Sequence, residues 1–78
     1  MFKYVIDSNN NLIMSSKTLT HQKISAGLEG KPVSAGVGDF AEDMVGVVFP
    51  ITSGESISLN LKARKEDDTI IKRHMEDY

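Results

Sequence analysis

The strongest constraint on the fold is the stretch over residues 44–64, which reads MVGVVFPITSGESISLNLKAR. In its second half apolar side chains alternate strictly with polar ones, a period of two that places one face of a β-strand in a core and the other in water. A short break at residues 52–55, centred on a Ser-Gly pair, separates this half from an apolar run. Such a break between two β-rich runs is typical of a hairpin. The stretch therefore predicts two paired strands, over residues 44–51 and 56–64.

Three further strand patterns lie in the amino-terminal half. Residues 2–6 are aromatic and β-branched, and residues 12–14 follow after an Asn-rich gap whose side chains favour a turn. Residues 33–40 put valine and alanine on one face and small residues on the other. Glycine weakens a strand and is often kept where another group comes close. Gly36 and Gly38 therefore predict a flat face that another surface can approach.

Two helices complete the pattern. Thr20 is predicted to cap a short helix, which a following glycine and proline end. Residues 65–78 are predicted to form a closing helix with acidic residues in its first turn, where they suit the positive end of the helix dipole. Ile71, Met75 and Tyr78 fall at i, i+4 and i+7 and give this helix one apolar face.

These patterns predict the element order β-β-α-β-β-β-α. A chain of 78 residues is too short for two independent cores, so residues 1–78 are expected to form a single domain. The simplest architecture that buries the apolar stripes is an α+β fold with both helices on one face of a small, antiparallel-rich sheet. A domain of this size buries only about 60% of its unfolded surface, so self-association would add needed stability.

Composition excludes several classes of function. Nine basic residues against eleven acidic ones give a net charge of -2, which removes an overall positive field for nucleic acid. The chain has no cysteine, so no disulfide scaffold or thiolate nucleophile is available, as in proteins of a reducing compartment. Nothing approaches the length of a membrane span or a signal-peptide core. We therefore expect a cytoplasmic location, no membrane partner and, because no cofactor motif is present, no cofactor.

The leading functional hypothesis is a small binding or regulatory module that acts through protein contact. The predicted fourth strand carries apolar residues on both faces, among them Met44, Val48 and Phe49. A strand that is apolar on both sides is buried on both sides, either within the sheet or under a partner. With Gly36 and Gly38 on the uncovered side, these residues predict a homodimer or a surface for another protein. Val48→Asp would then leave a folded monomer.

A nucleic-acid-binding domain is the second hypothesis. The outward face of the predicted last strand combines hydroxyl and amide groups with cations, and the closing helix adds two more. An aromatic platform for stacking bases is missing from this face. The basic residues that would contact phosphate are Lys62, Arg64, Lys65, Lys72 and Arg73.

An enzyme that uses His21 with a carboxylate is the third hypothesis. His21 falls in the first turn of the short helix, where the dipole favours a neutral imidazole. A histidine that points into bulk solvent, with no pocket or acid nearby, would exclude this role. The acidic sets at residues 39–43 and 66–68 lack the ligand spacing of a calcium loop, so no metal site is predicted.

Overall fold

The computed structural model describes residues 1–16 and 19–76, which contain six strands and two helices. The α+β class and the order of the elements are confirmed. The segment that was expected to form the fifth strand forms two short strands instead. The elements, in chain order, are β1 (Phe2–Asp7), β2 (Leu12–Ser16), α1 (His21–Ser25), β3 (Pro32–Glu42), β4 (Val48–Ser53), β5 (Glu55–Ser56), β6 (Leu61–Lys62) and α2 (Asp67–Glu76).

Four of the strands form one antiparallel sheet in the order β2-β1-β3-β4. Tyr4 of β1 lies opposite Met14 on one side and opposite Gly36 on the other, so β1 is a central strand. In the β3–β4 pair, Phe40 lies opposite Pro50. The edges of this sheet are therefore β2 and β4.

The two helices pack on opposite faces of the sheet, which corrects the expectation that both lie on one face. Ile71 of α2 packs with Tyr4, whereas Ile24 of α1 packs with Val5. Adjacent residues of a strand point to opposite faces, so Tyr4 and Val5 belong to different layers. Both faces of β1 are apolar, and each requires its own cover. Tyr78, the last residue of the predicted helical stripe, lies outside the described residues.

The predicted hairpin over residues 44–64 does not form, because β4 pairs with β3 instead of with the segment that follows it. Gly54 has a φ of 79°, a left-handed conformation that turns the chain out of β4. Residues 57–60 make a turn, closed by a hydrogen bond of 3.2 Å from the Asn60 N–H to the Ile57 carbonyl. The alternating segment is thus divided into β5 and β6, which pair with each other.

The first turn of the chain is held by a buried carboxylate. Asp7 accepts hydrogen bonds from the backbone N–H groups of Asn9 and Asn11 at 2.8 and 2.9 Å, and from that of Gly30 at 3.2 Å. The Asn11 side chain adds a fourth at 3.0 Å. Burial alone would raise the pKa of Asp7, but these hydrogen bonds stabilise its ionised form and hold the pKa below its ordinary value. Asp7 thereby ties the β1–β2 turn to the segment before β3.

The β3–β4 hairpin extends past the rest of the sheet. β1 pairs with β3 only as far as Phe2 opposite Gly38, and beyond that point β3 has β4 as its one sheet neighbour. We refer to residues 39–51 as the arm. The arm accounts for the elongated shape of the molecule, which measures 37 × 22 × 20 Å. An isolated two-stranded ribbon is marginally stable in water.

Candidate functional site

The tip of the arm is an ordered turn organised by Asp43. One oxygen of its carboxylate accepts hydrogen bonds from the N–H groups of Val45 and Val47, at 3.0 and 2.9 Å. Its backbone N–H donates to the Val47 carbonyl at 3.0 Å, and Gly46 supplies the positive φ of 84° that the turn requires. These bonds hold the tip in one conformation, so little conformational entropy would be lost when it binds a partner.

Apolar side chains at this ordered tip and along the arm face water. Met44 is fully exposed and Val45 is 83% exposed, although neither is polar. Six of the ten exposed large apolar side chains of the described residues lie in the arm. Apolar side chains exposed together in one part of a small protein mark an interaction site. The six are Phe40, Met44, Val45, Val47, Val48 and Ile51.

The outer edge of β4 is blocked against pairing with another strand. The Thr52 N–H points away from β3, because it donates to the Asp68 carboxylate at 2.9 Å. N–H groups on the same side recur every second residue along a strand, so Pro50 and Val48 share that edge. Pro50 has no N–H to donate, and that of Thr52 is taken. This edge therefore offers a new strand one free donor, at Val48, and we expect a partner to contact side chains instead.

Three residues of the predicted interface come together on the arm. Met44 is at the tip, Val48 begins β4 and is 47% exposed, and Phe49 is half-buried. The sequence argument placed this strand inside the sheet or beneath a partner, but in the structure it forms an edge. Phe40, which sequence analysis did not single out, lies on the same face of the arm as Val48. The Asp-x-x-Gly spacing of the tip is the signal that would have located this turn.

The predicted small-residue face is filled by the chain itself. A Cβ atom at Gly36 would lie 2.6 Å from the Ser53 carbonyl oxygen. One at Gly38 would overlap the ring of Phe2. Both glycines are buried, so their absent side chains admit neighbouring parts of the same molecule. The accessible part of the predicted interface is therefore the arm.

An apolar cleft lies where the arm leaves the sheet. The rings of Phe2 and Phe40 stack with their centroids 5.1 Å apart, and Met1 and Met14 line the cleft beside them. Its volume is about 290 Å³. The amino-terminal ammonium group is 3.0 Å from the Asp39 carboxylate, which fixes this end of β1 against the arm. The cleft extends the apolar surface of the arm onto the body of the protein.

The basic residues of the nucleic-acid hypothesis fall into two groups. Lys62, Arg64 and Lys65 line a cleft of about 540 Å³ between the end of β4 and the start of α2. Lys72 and Arg73 are exposed further along α2, about 7.5 and 9 Å from its start at a rise of 1.5 Å per residue. The structure thus places the first three together and the other two apart from them.

Acidic groups offset much of the positive charge in the basic cleft. The Arg64 guanidinium is 3.0 Å from the Asp67 carboxylate through Nε and 3.1 Å from Glu66 through Nη1. The Asp68 carboxylate also lines this cleft and accepts hydrogen bonds from the backbone and the hydroxyl of Thr52. Lys62 and Lys65 are the exposed lysines of this cleft. Nucleic-acid binding by this group stays a prediction.

A buried hydrogen-bond network surrounds Asp67, which is fully buried at the start of α2. Its carboxylate accepts from the Tyr4 hydroxyl at 2.5 Å, the Ser34 hydroxyl at 3.0 Å, and the Arg64 N–H and Nε at 2.9 and 3.0 Å. Burial raises the pKa of Tyr4 well above its ordinary value, and the hydrogen bond to Asp67 and its charge raise it further. Tyr4 therefore stays protonated as a donor. This network joins α2 to β1 and β3.

His21 is buried, which the sequence did not predict. Its Nε2 is 2.8 Å from the Gly36 carbonyl oxygen. A carbonyl oxygen can only accept, so Nε2 donates this hydrogen bond. His21 also lines a cleft of about 290 Å³ that contains Lys3 and Glu55. The condition that would have excluded an enzyme role is thus not met, although the hydrogen bond itself joins α1 to β3.

Comparisons with known proteins add no family or function to these observations. No family model, curated protein or solved structure matches the chain. Among the described residues, no group of three or more His, Cys, Asp or Glu side chains is arranged to hold a metal ion. Neither α1 nor α2 is long and apolar enough to cross a membrane.

Proposed function

We propose that this protein is a small binding module that acts through protein contact, and that the arm is its contact surface. The observation that carries the proposal is an ordered, two-stranded projection whose tip exposes Met44 and Val45 to water. Burying these two side chains against a partner would remove apolar surface from water, worth about 1.5–3 kcal/mol for each one fully buried. A tip already fixed by Asp43 makes that contact at low entropic cost.

The size of the accessible surface also supports this function. The chain exposes 5250 Å², whereas a globular protein of this size is expected to expose about 4,700 Å². The roughly 500 Å² of excess is a substantial part of the ~800 Å² that each partner contributes to a standard interface. The arm contributes to this exposed surface, because its two strands lack the second layer that covers the rest of the sheet. The expected cytoplasmic location stays a prediction.

The experiment compares two variants that remove exposed apolar groups. The first carries Met44→Ser with Val45→Ser, and the control carries Ile57→Ser, since Ile57 is 91% exposed but lies outside the arm. Purified proteins are examined by light scattering over a range of concentrations, and tagged proteins are used to capture partners from a lysate with and without nuclease. We expect both variants to fold like the wild type, because neither substitution touches the core.

The result expected is a protein contact that survives nuclease and high salt, is lost in the tip variant and is kept in the control. Equal binding by the wild type and the tip variant would refute the arm as the contact surface. Recovery of only nuclease-sensitive and salt-sensitive material would favour the nucleic-acid alternative, because phosphate contacts weaken steeply with salt.

A further inference from the structure

We infer that the occupant of the arm is a second copy of this chain, packed so that the two arms run antiparallel and the acidic end of each meets the basic cleft of the other. This inference rests on the proposed function, because it names the partner of the same surface. Three observations carry it: the charges of the arm, its uncovered apolar face, and the blocked edge of β4.

The arm and the body carry opposite charge. Within residues 39–53 the charged side chains are Asp39, Glu42 and Asp43, and no lysine, arginine or histidine occurs. The Asp39 carboxylate is paired with the amino terminus, but Glu42 is exposed beside the tip. At the other end of β4, the exposed side chains of Lys62 and Lys65 face the basic cleft. One chain therefore presents both halves of a complementary pair, separated along a single hairpin.

A twofold axis across the middle of the arm brings these halves together. Glu42 lies opposite Val48 at the start of β4, and Ser53 at its end lines the basic cleft. These two levels are about 17 Å apart at 3.3 Å per residue. Two arms related by an axis near Pro50 place the Glu42 of each copy level with the cleft of the other. Because the same patch serves both copies, this interface is isologous and closes at a dimer.

The contact face is the one that α2 covers on the body and leaves open on the arm. The register places Phe40, Glu42 and Val48 on the face of Tyr4, against which α2 packs. Phe40 and Val48 are 49% and 47% exposed there. The apolar cleft beside Phe2 lies on this face and can receive a side chain of the second copy. Apolar contact supplies the stability, and the charges set the direction of the arms.

The blocked edge of β4 determines how the copies meet. Pairing of two β4 strands would require free N–H groups, and Pro50 has none while that of Thr52 donates to Asp68. The copies therefore stack through side chains, as two sheets do at a spacing of about 10 Å. This arrangement also limits growth into fibres, since an open strand edge would recruit further chains.

The test reverses charges at the two ends separately and then mixes the products. Glu42→Lys makes the arm repel the cleft of an identical copy, and Lys62→Glu makes the cleft repel the arm. In a mixture of the two variants both contacts join opposite charges again. Glu29→Lys is the matched control, because Glu29 is exposed and lies outside both surfaces. Dimer dissociation constants are measured by analytical ultracentrifugation at low salt.

We expect each variant alone to dimerise about tenfold more weakly than the wild type, since two exposed ion pairs change sign in every dimer. The equimolar mixture should recover wild-type affinity as a heterodimer, and the control should not change. A wild type that stays monomeric at all concentrations, while the Met44 and Val45 surface still binds another protein, would overturn the second copy and leave the proposed function standing. If neither charge reversal changes the dimer dissociation constant, or if the mixture does not recover wild-type affinity, the antiparallel arrangement is overturned.

Discussion

Removal of the Asp67 carboxylate should destabilise the fold strongly, although this residue is one of eleven acids in the chain. The substitution to consider is Asp67→Asn, which keeps the shape of the side chain but replaces an accepting oxygen with an N–H donor. Oδ1 accepts from Ser34 and the Arg64 Nε, and Oδ2 accepts from Tyr4 and the Arg64 backbone. The NH2 group of asparagine, in place of either oxygen, would face hydroxyl and N–H groups that are themselves donors.

The expected cost follows from the burial of the network. Breaking a buried ion pair by removing one partner costs about 3–5 kcal/mol. Asp67 is fully buried, whereas Arg64 is 31% exposed and keeps Glu66, so we expect a cost near the lower end of that range. At ~0.05–0.15 kcal/mol per residue, the free energy of unfolding of a chain this long is about 4–12 kcal/mol. Asp67→Asn therefore removes about a quarter or more of the stability. Tyr4→Phe removes only one hydrogen bond to a charged acceptor, for about 1.5–3 kcal/mol.

Urea denaturation followed by far-ultraviolet circular dichroism measures these differences. With an m-value near 1 kcal/mol/M for a protein of this size, Tyr4→Phe lowers the midpoint by about 1.5–3 M. Asp67→Asn is expected to lower the midpoint by about 3 M or more. The matched control is Glu66→Gln, because Glu66 pairs with the same Arg64 at the surface, where an ion pair is worth about 0–1 kcal/mol.

The reasoning fails if Asp67→Asn unfolds at the same urea concentration as Glu66→Gln. That result would mean that the network is solvated enough for an amide to replace the carboxylate. A double variant that combines Tyr4→Phe with Asp67→Asn should cost less than the sum of the single costs, since the two groups share one bond. Additive costs would show that the Tyr4 hydroxyl and Asp67 do not interact.

Two further results follow from particular contacts. The folded-state pKa of Asp7 is lowered, so its stabilising contribution is present above pH ~4, the ordinary pKa of Asp, and is lost as the pH falls through the folded value. The difference in the free energy of unfolding between the wild type and Asp7→Asn should therefore shrink in acid. A difference that does not change with pH would contradict this prediction. Gly38→Ala should destabilise the monomer by about 1–3 kcal/mol in thermal unfolding, because the new Cβ overlaps the Phe2 ring. If the variant is as stable as the wild type and only its association is weaker, Gly38 lies in an intermolecular interface instead.

Local signals in the sequence were reliable where one short segment carries its own physical cause. Thr20 caps α1 as expected, with its side-chain oxygen accepting from the Lys23 N–H at 3.3 Å. The acids predicted at the start of the closing helix occupy its first turn, and Ile71 faces the core. Caps and periodicity act over a few residues, so they do not depend on which strand lies next to which.

Partnership between distant segments was decided only by the tertiary structure. The alternation over residues 56–64 predicted one strand with a single buried face. In the structure residues 57–60 form a turn, Leu61 and Ala63 reach different core clusters, and Ile57 remains in water. Periodicity states which side chains are apolar and does not state which strand will pair with them. Without the β4–β5 pairing, the two predicted strands separate into an edge strand and a small second sheet.

The sequence by itself determined the α+β class, the order of elements and the apolar character of the residues now found on the arm. The tertiary structure decided that these residues project from the body and that Asp67 accepts several buried hydrogen bonds. It also decided that groups of the same chain occupy the space beside Gly36 and Gly38. The physical reason is that burial depends on contacts between segments far apart in the chain, such as Tyr4 with Asp67. No local pattern specifies which distant residue will supply such a partner.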